Sequence, residues 1–304
     1  MMHPLEGFMF VHADGSIWTV KGCYQPEEGL IAVPRVIYGR LKYKKLSDMH
    51  ELILRYYRHY MRFLYQLGRE VPIVPLNHIA KTINPLEAVS VLRDLSHNGL
   101  IKAALELFNA IVDGCSCLAG FSGSLAGGYF TDRSDIDLVV YSNVSQCYYL
   151  LRKLRYEGVL KPFNHSEAYI ESLEAHGDVD SRLVDLMCRR VLQGVFKGFK
   201  YTVRLVNCED TITLRDYITL PEVSLLVKVC DSTRSFTTPA YYLSEVVSSN
   251  SSYVGFRSKV ILITHRIKFT ELGDGALIAV HGPAYLMSNQ VLINLDLARV
   301  ELIS

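Results

Sequence analysis

Four residues of this chain combine type and spacing in a way that could do chemistry: Gly123, Ser124, Asp135 and Asp137, within the stretch Leu118 to Tyr141, LAGFSGSLAGGYFTDRSDIDLVVY. Side chains alternate along a strand with a rise of roughly 3.3 Å per residue, so Asp135 and Asp137 project from one face roughly 6 to 7 Å apart. Two carboxylates aligned in this way repel each other unless a cation lies between them. Oxygen-only ligands suit a hard ion such as Mg²⁺ or Mn²⁺. The neighbours Ile136, Leu138, Val139 and Val140 are those of a strand buried on its other face. Upstream, CSCLAGF reads as a strand, and Gly123-Ser124 opens the next element, where backbone N–H groups and a hydroxyl can hold a phosphate. Joined, the two halves describe a metal–triphosphate site: Ser124 and the amides near Gly123 hold the phosphates, and Asp135 and Asp137 hold the metal. A surface turn followed by a strand with two solvent-facing Asp explains either half alone better than it explains both at this spacing.

The elements that must position these residues follow in order. Asn84 caps a helix from Pro85 to about Ser96, His97-Asn98-Gly99 ends it, and a second helix covers roughly 100–113. Next come the strand, the Gly-Ser turn, the Asp-bearing strand and a helix over roughly 146–157. Gly127-Gly128 lets the chain turn back between the two strands.

The stretch resembles the signature of the DNA polymerase β-like nucleotidyltransferase superfamily: apolar residue, Gly-Ser, about ten residues, Asp-x-Asp, apolar strand. The order of the surrounding pieces is similar to a group of archaeal proteins described only as predicted nucleotidyltransferases. The resemblance implies transfer of an NMP from an NTP such as ATP to an acceptor hydroxyl, with Mg²⁺ or Mn²⁺ on Asp135 and Asp137. It also implies a third carboxylate on a later strand. Asp185, in RLVDLM, resembles the strand of minimal members, yet DVDSRLVDLMCRRVLQGVFKG reads more readily as one helix, with Val184, Met187, Val191 and Val195 at helical spacing. The better third strand is FKYTVRLVNCED, where Thr202 stands in the expected Asp position and Glu209 and Asp210 lie just beyond. Arg204 on that strand is expected to face the site and contact a phosphate, or to pair with Asp135 or Asp137.

The remaining chain sets the context. With 304 residues, 49% hydrophobic and 21% charged, it suits two or three folded domains. A formal net charge of +1 gives no global case for nucleic acid. No apolar run has membrane length and the N-terminus is unlike a signal peptide, so the expected compartment is the cytosol, with no membrane partner. The seven cysteines are expected to be reduced, buried hydrophobes. Residues 7–46 read as three or four antiparallel strands, with Asp14-Gly15 a hairpin signal. Arg40, Lys42, Lys44 and Lys45, with Tyr38 and Tyr43, form a basic stretch that suits a solvated edge or bound bases. Met49 to Leu67 is expected to be a helix, and VPIVPLNHIAKTINP a Pro-bounded linker. After Pro221, five or six short strands suggest a small antiparallel β-barrel, of which the oligonucleotide-binding type is one candidate. Lys259, His265, Arg266 and Lys268 could present a basic face to RNA, but Glu245, Glu271, Asp274 and Asp296 in the same region favour barrel packing without ligand.

The expected fold is thus α+β: β-strands and a helix over 1–75, a polymerase β-like core with mixed sheet and helices over 76–220, and a β-rich domain over 221–304. The expected function is Mg²⁺-dependent nucleotidyl transfer to a hydroxyl, with structured RNA one acceptor. The alternative is a catalytically weak or inactive nucleotide- or RNA-binding module lacking the third carboxylate.

Overall fold

The computed structural model describes residues 3–37, 41–43, 45–95, 97–177, 180–209, 211–288 and 290–303. The chain is α+β, with seven α-helices and several sheets among the described residues. None of the described helices is long and apolar enough to cross a membrane.

The first sheet contains β1 (Met9–His12), β2 (Ile17–Val20), β3 (Gly29–Ile37) and β4 (Leu41–Lys42), then α1 (Leu46–Tyr56) packs against it, followed by β5 (Met61–Leu64), β6 (Arg69–Pro75) and β7 (Ile79–Ile83). The order is β5-β6-β3-β2-β1-β7, so the sheet reaches residue 83 and takes in the segment assigned by sequence to the next unit. The Asp14-Gly15 hairpin forms as expected, with Gly15 at φ +84°. Asp14 accepts from Ser16 N at 2.8 Å and Tyr57 OH at 2.6 Å. Burial opposes its ionisation, but the hydrogen bonds from Ser16 and Tyr57 outweigh this and hold Asp14 well below the usual carboxylate range. That contribution is present above the unfolded carboxylate pKa and is lost as pH falls through the lowered folded value. The Asp14 side chain is 41% exposed, so solvent screens much of this effect, and Asp14→Ala is expected to cost about 1 kcal/mol at pH 7 and less near pH 2, measured by urea unfolding.

Two expectations fail in this sheet. The helix stops at Tyr56 because Tyr60 is drawn into the core, where its hydroxyl is hydrogen-bonded to His12 Nε2 at 2.7 Å and His78 Nδ1 at 2.6 Å. The Pro-rich linker is instead strands β6 and β7. Pro72 is tolerated because β6 changes partner there, pairing with β5 through residues 69–72 and with β3 through 73–75.

The central unit comprises α2 (Pro85–Arg93), α3 (Gly99–Cys115), β8 (Ala119–Phe121), α4 (Gly123–Gly127), β9 (Ile136–Val140), α5 (Val144–Tyr156), α6 (His165–His176), α7 (Ser181–Arg189), β10 (Gln193–Phe196) and β11 (Phe199–Val206). Asn84 and Asn98 cap α2 and α3 by accepting backbone N–H groups. The sheet order is β10-β11-β9-β8, with β9 and β11 parallel and both outer pairs antiparallel. Ile136, Leu138, Val139 and Val140 are all buried, each contributing about 1.5–3 kcal/mol, so β9 is fixed from both faces except at Asp137. The helix expected to continue to Val195 ends at Arg189, and Val195 belongs to a strand that pairs back onto β11.

The last unit holds β12 (Ile218–Arg234), β14 (Ala240–Ser249), β15 (Lys259–Thr264), β16 (Leu277–Met287), β17 (Gln290–Asn294) and β18 (Arg299–Leu302), while β13 (Thr237–Thr238), between β12 and β14 in the chain, adds in parallel to β11 of the central sheet. Pairings run β12–β14–β15–β17–β16 and return to β12, so the sheet closes on itself. The β15–β17 contact is parallel and the others antiparallel. Leu183, Val184, Leu186 and Met187 of α7 enter the core of this unit. The opposite face of β14, β15 and β17 is covered by Ile212, Leu214 and Tyr217 packed on Tyr241, Ile263 and Leu292.

The cysteines depart from expectation. Cys23 is bonded to Cys208, tying the first sheet to the end of β11, and Cys115 to Cys147, tying α3 to α5. Cys117 is a free thiol whose sulfur lies within 4.8 Å of those of Cys115 and Cys147. Chain folding supplies these partners from sequence separations of 185 and 32 residues.

Candidate functional site

Asp137 lies on β9 directly beside Thr202 of β11, and Asp135 immediately precedes the strand. The Gly-Ser turn sits on the same end of the sheet. Ser122 N donates to Asp137 O at 2.9 Å, and Ser122 Oγ donates to Gly7 O at 2.7 Å, so the N-terminal segment braces the turn. Gly123 has φ +59°, and a Cβ there would overlap the Asp137 carboxylate. Only glycine allows this turn to press against that acid.

Ser124, Asp135, Asp137 and Arg204 line one cavity of about 730 Å³, within the usual size of ligand pockets. Arg35 of β3, Lys42 of β4 and Glu171 of α6 line it too. The described lining carries as many carboxylates as Arg and Lys side chains. Burial pushes the Asp137 carboxyl up, Arg35, Arg204 and Lys42 pull it down, Glu171 pushes it up, and the net direction is upward. Its negative charge is therefore under-compensated by the protein's own cations, the condition in which a carboxylate gains from a metal ion. Asp135, Asp137 and Glu171 offer only oxygen donors, the kind a hard cation takes, but their carboxylate oxygens are not gathered within 4.8 Å of one another.

Arg204 faces this cavity as expected. Its charge partner is Glu6, at 3.9 Å, which also lies 3.5 Å from Lys21 and accepts from Gly22 N at 2.7 Å. Thr202 occupies the register position beside Asp137 and its hydroxyl accepts from Gln193 Nε2 at 3.3 Å. Asp185 is not brought to the site. α7 turns its apolar side into the last unit's core, leaving Asp185 exposed, 3.5 Å from His165, on a separate cleft of about 1190 Å³. Glu209 does not line the cavity, and Asp210 lies outside the described residues.

Glu171, an acid not foreseen from the sequence, lines the cavity with Asp135 and Asp137, acts electrostatically on Asp137, and accepts from Lys200 Nζ at 2.9 Å. Lys200 in turn is drawn up by Glu171 and Asp135 against the opposing effect of burial. α6 was not read from the sequence, although Asn164 and Glu167 form a capping box that marks its start. Arg35 was missed because it is one cation in the otherwise apolar β3. Of the basic stretch, Lys42 faces the cavity, while Tyr38, Arg40 and Lys44 lie outside the described residues. The four basic residues after Pro221 do not form one surface, in keeping with the preferred reading of a packed barrel: Lys259 pairs with Glu245 at 2.6 Å, and His265 and Arg266 line the cavity.

The chain matches no protein-family model, no curated protein and no solved structure.

Proposed function

We propose that the protein is a nucleotidyltransferase that binds a metal–NTP complex in the cavity between the first sheet and β9, and transfers the NMP to an acceptor hydroxyl. The observation that carries this reading is the contact between the Gly123-Ser124 turn and Asp137, in a cavity that Asp135, Glu171, Arg35, Lys42 and Arg204 also line. Asp135 and Asp137 would hold Mg²⁺, which when bound neutralises phosphate charge and polarises the α-phosphorus. Ser124 and the turn amides would hold terminal phosphate oxygens, and Arg35, Lys42 and Arg204 would offset the remaining charge. The acceptor oxygen attacks the α-phosphorus, the bond to the β-phosphate oxygen breaks and pyrophosphate leaves. Glu171 is assigned the acceptor's hydroxyl proton.

The closed ring of the last unit, with one parallel contact between its third and fifth strands, supports the reading as a barrel of the oligonucleotide-binding type. A second reading, a nucleotide-binding module without turnover, is favoured by Thr202 standing beside Asp137 where the superfamily's third acid is expected.

Two measurements separate these. Incubation with Mg²⁺, α-labelled or γ-labelled NTPs and cell-extract acceptors should transfer only the α-label and release pyrophosphate. Nucleotide binding with no transfer for any NTP would leave the second reading. Glu171→Gln is expected to lower kcat by about a hundredfold in steady-state assays. An unchanged kcat would remove Glu171 from the mechanism.

A further inference from the structure

The nucleotide reading uses only one end of the cavity. Its other end is built where all three units meet: Lys21 and Arg69 come from the first sheet, Thr211 from the segment after β11, and His265 and Asp296 from the last unit. Leu214 N donates to Gln66 O at 2.8 Å, which fixes the 211–217 segment against the turn before β6. Three side-chain polar atoms here are buried with no hydrogen-bond partner: Arg69 Nε, Thr211 Oγ1 and His265 Nδ1. Buried polar atoms are satisfied in nearly every native site, so a group of orphans facing one cavity marks an absent partner.

The chemistry of that partner follows from what each side chain lacks. The Arg69 side chain makes no hydrogen bond or ion pair with any described residue. Asp296, which acts on it at longer range, is already held by Thr264 Oγ1 at 2.6 Å and His265 N at 2.8 Å. A guanidinium in this state takes a carboxylate or phosphate in bidentate fashion. Thr211 and the His265 ring, which burial keeps neutral at pH 7, offer one hydroxyl and one imidazole nitrogen to a ligand's hydroxyl groups.

We propose that the end of the cavity lined by Arg69, Thr211 and His265 is a separate subsite for the acceptor, a small alcohol bearing a carboxylate or phosphate group. The word acceptor rests on the nucleotidyl-transfer reading; the subsite rests on its own side chains. A small ligand, not an oligonucleotide, follows from the barrel face beside the subsite. All three units wall the cavity, and the outer face of β14, β15 and β17, where an oligonucleotide would lie on such a barrel, is filled by Ile212, Leu214 and Tyr217.

Calorimetric titration tests this with glycerol 3-phosphate and D-glycerate, against glycerol as the uncharged control. Titrations are run on the protein alone and on protein saturated with Mg²⁺ and an α,β-methylene NTP. At least one anion should bind both forms, glycerol should not, and Arg69→Met should weaken anion binding at least tenfold while nucleotide affinity stays within twofold. Arg69→Met should also raise the Tm of the ligand-free protein, because it removes a buried cation without a partner. If that variant fails to fold, Thr211→Val combined with His265→Gln is read the same way. The subsite is overturned if neither anion binds, or if saturation with Mg²⁺ and the NTP analogue abolishes anion binding. The small-acceptor assignment is overturned if a short RNA oligonucleotide binds more tightly than either anion in an Arg69-dependent manner. Arg69-dependent anion binding without any nucleotide binding would sink the nucleotide reading and leave the subsite standing.

Discussion

Asp137→Asn is expected to lower kcat for nucleotidyl transfer by about a thousandfold or more, while raising the Tm of the metal-free protein at pH 7. Both effects have one cause. Burial disfavours the Asp137 carboxylate, and Arg35, Arg204 and Lys42 compensate only in part. Because the folded pKa lies above the unfolded one, the stabilising contribution is fully present below the unfolded carboxylate pKa. It is lost as pH rises through the raised value. At pH 7 the unfolded chain is free to ionise this carboxyl while burial opposes ionisation in the fold, a destabilising difference that asparagine removes. Mg²⁺ should reverse this sign in the wild type, because it binds only the ionised form. Thermal denaturation between pH 4 and 8, with and without Mg²⁺, would reveal it: wild type gains Tm on adding the ion, and the variant gains nothing. A destabilised, metal-responsive Asp137→Asn protein would show the carboxylate to be a structural partner of the arginines.

The second large effect is at Gly123. Its φ of +59° is open to glycine but costs an L-residue about 1–2 kcal/mol. A Cβ would also fall on the Asp137 carboxylate, so Gly123→Ala must displace the turn, the acid, or both. The expected result is a loss of about 2–3 kcal/mol in stability and at least a hundredfold loss in nucleotide affinity. Gly128→Ala is the matched control. It has φ +71° with nothing within 4 Å of its Cβ, so it should show the conformational cost with transfer retained. Equal losses of affinity in the two variants would mean that backbone strain alone governs the turn.

These predictions concern the part of the molecule that was legible in the sequence. The strand, Gly-Ser turn and Asp-bearing strand could be read because apolar alternation and glycine placement are local signals, and the same holds for the Asp14-Gly15 hairpin and the Asn84 cap. Arg204 could be placed because strand alternation puts it on a known face of β11. Glu171 could not be found in this way. α6 carries a mixed pattern, with Tyr169, Ile170 and Leu173 left exposed, and the side it offers to Asp137 is set by packing against distant strands. Asp185 misled for the complementary reason: its apolar neighbours serve the core of the last unit, not a strand of the central sheet. Arg35 and Lys42 reach the site from the first sheet, roughly a hundred residues before Asp137 in the chain, a separation that periodicity cannot bridge. The break after Tyr56 was hidden by Tyr60, whose helical spacing served instead to position a hydroxyl between His12 and His78.

The most direct test of the metal–nucleotide site is calorimetric titration of NTP into wild-type protein and the Asp135→Asn, Asp137→Asn double variant, each with Mg²⁺ and with EDTA. The site described here predicts binding to the wild type that requires Mg²⁺ and is lost in the double variant. Binding that is equal with and without the metal, or that survives removal of both carboxylates, would contradict it.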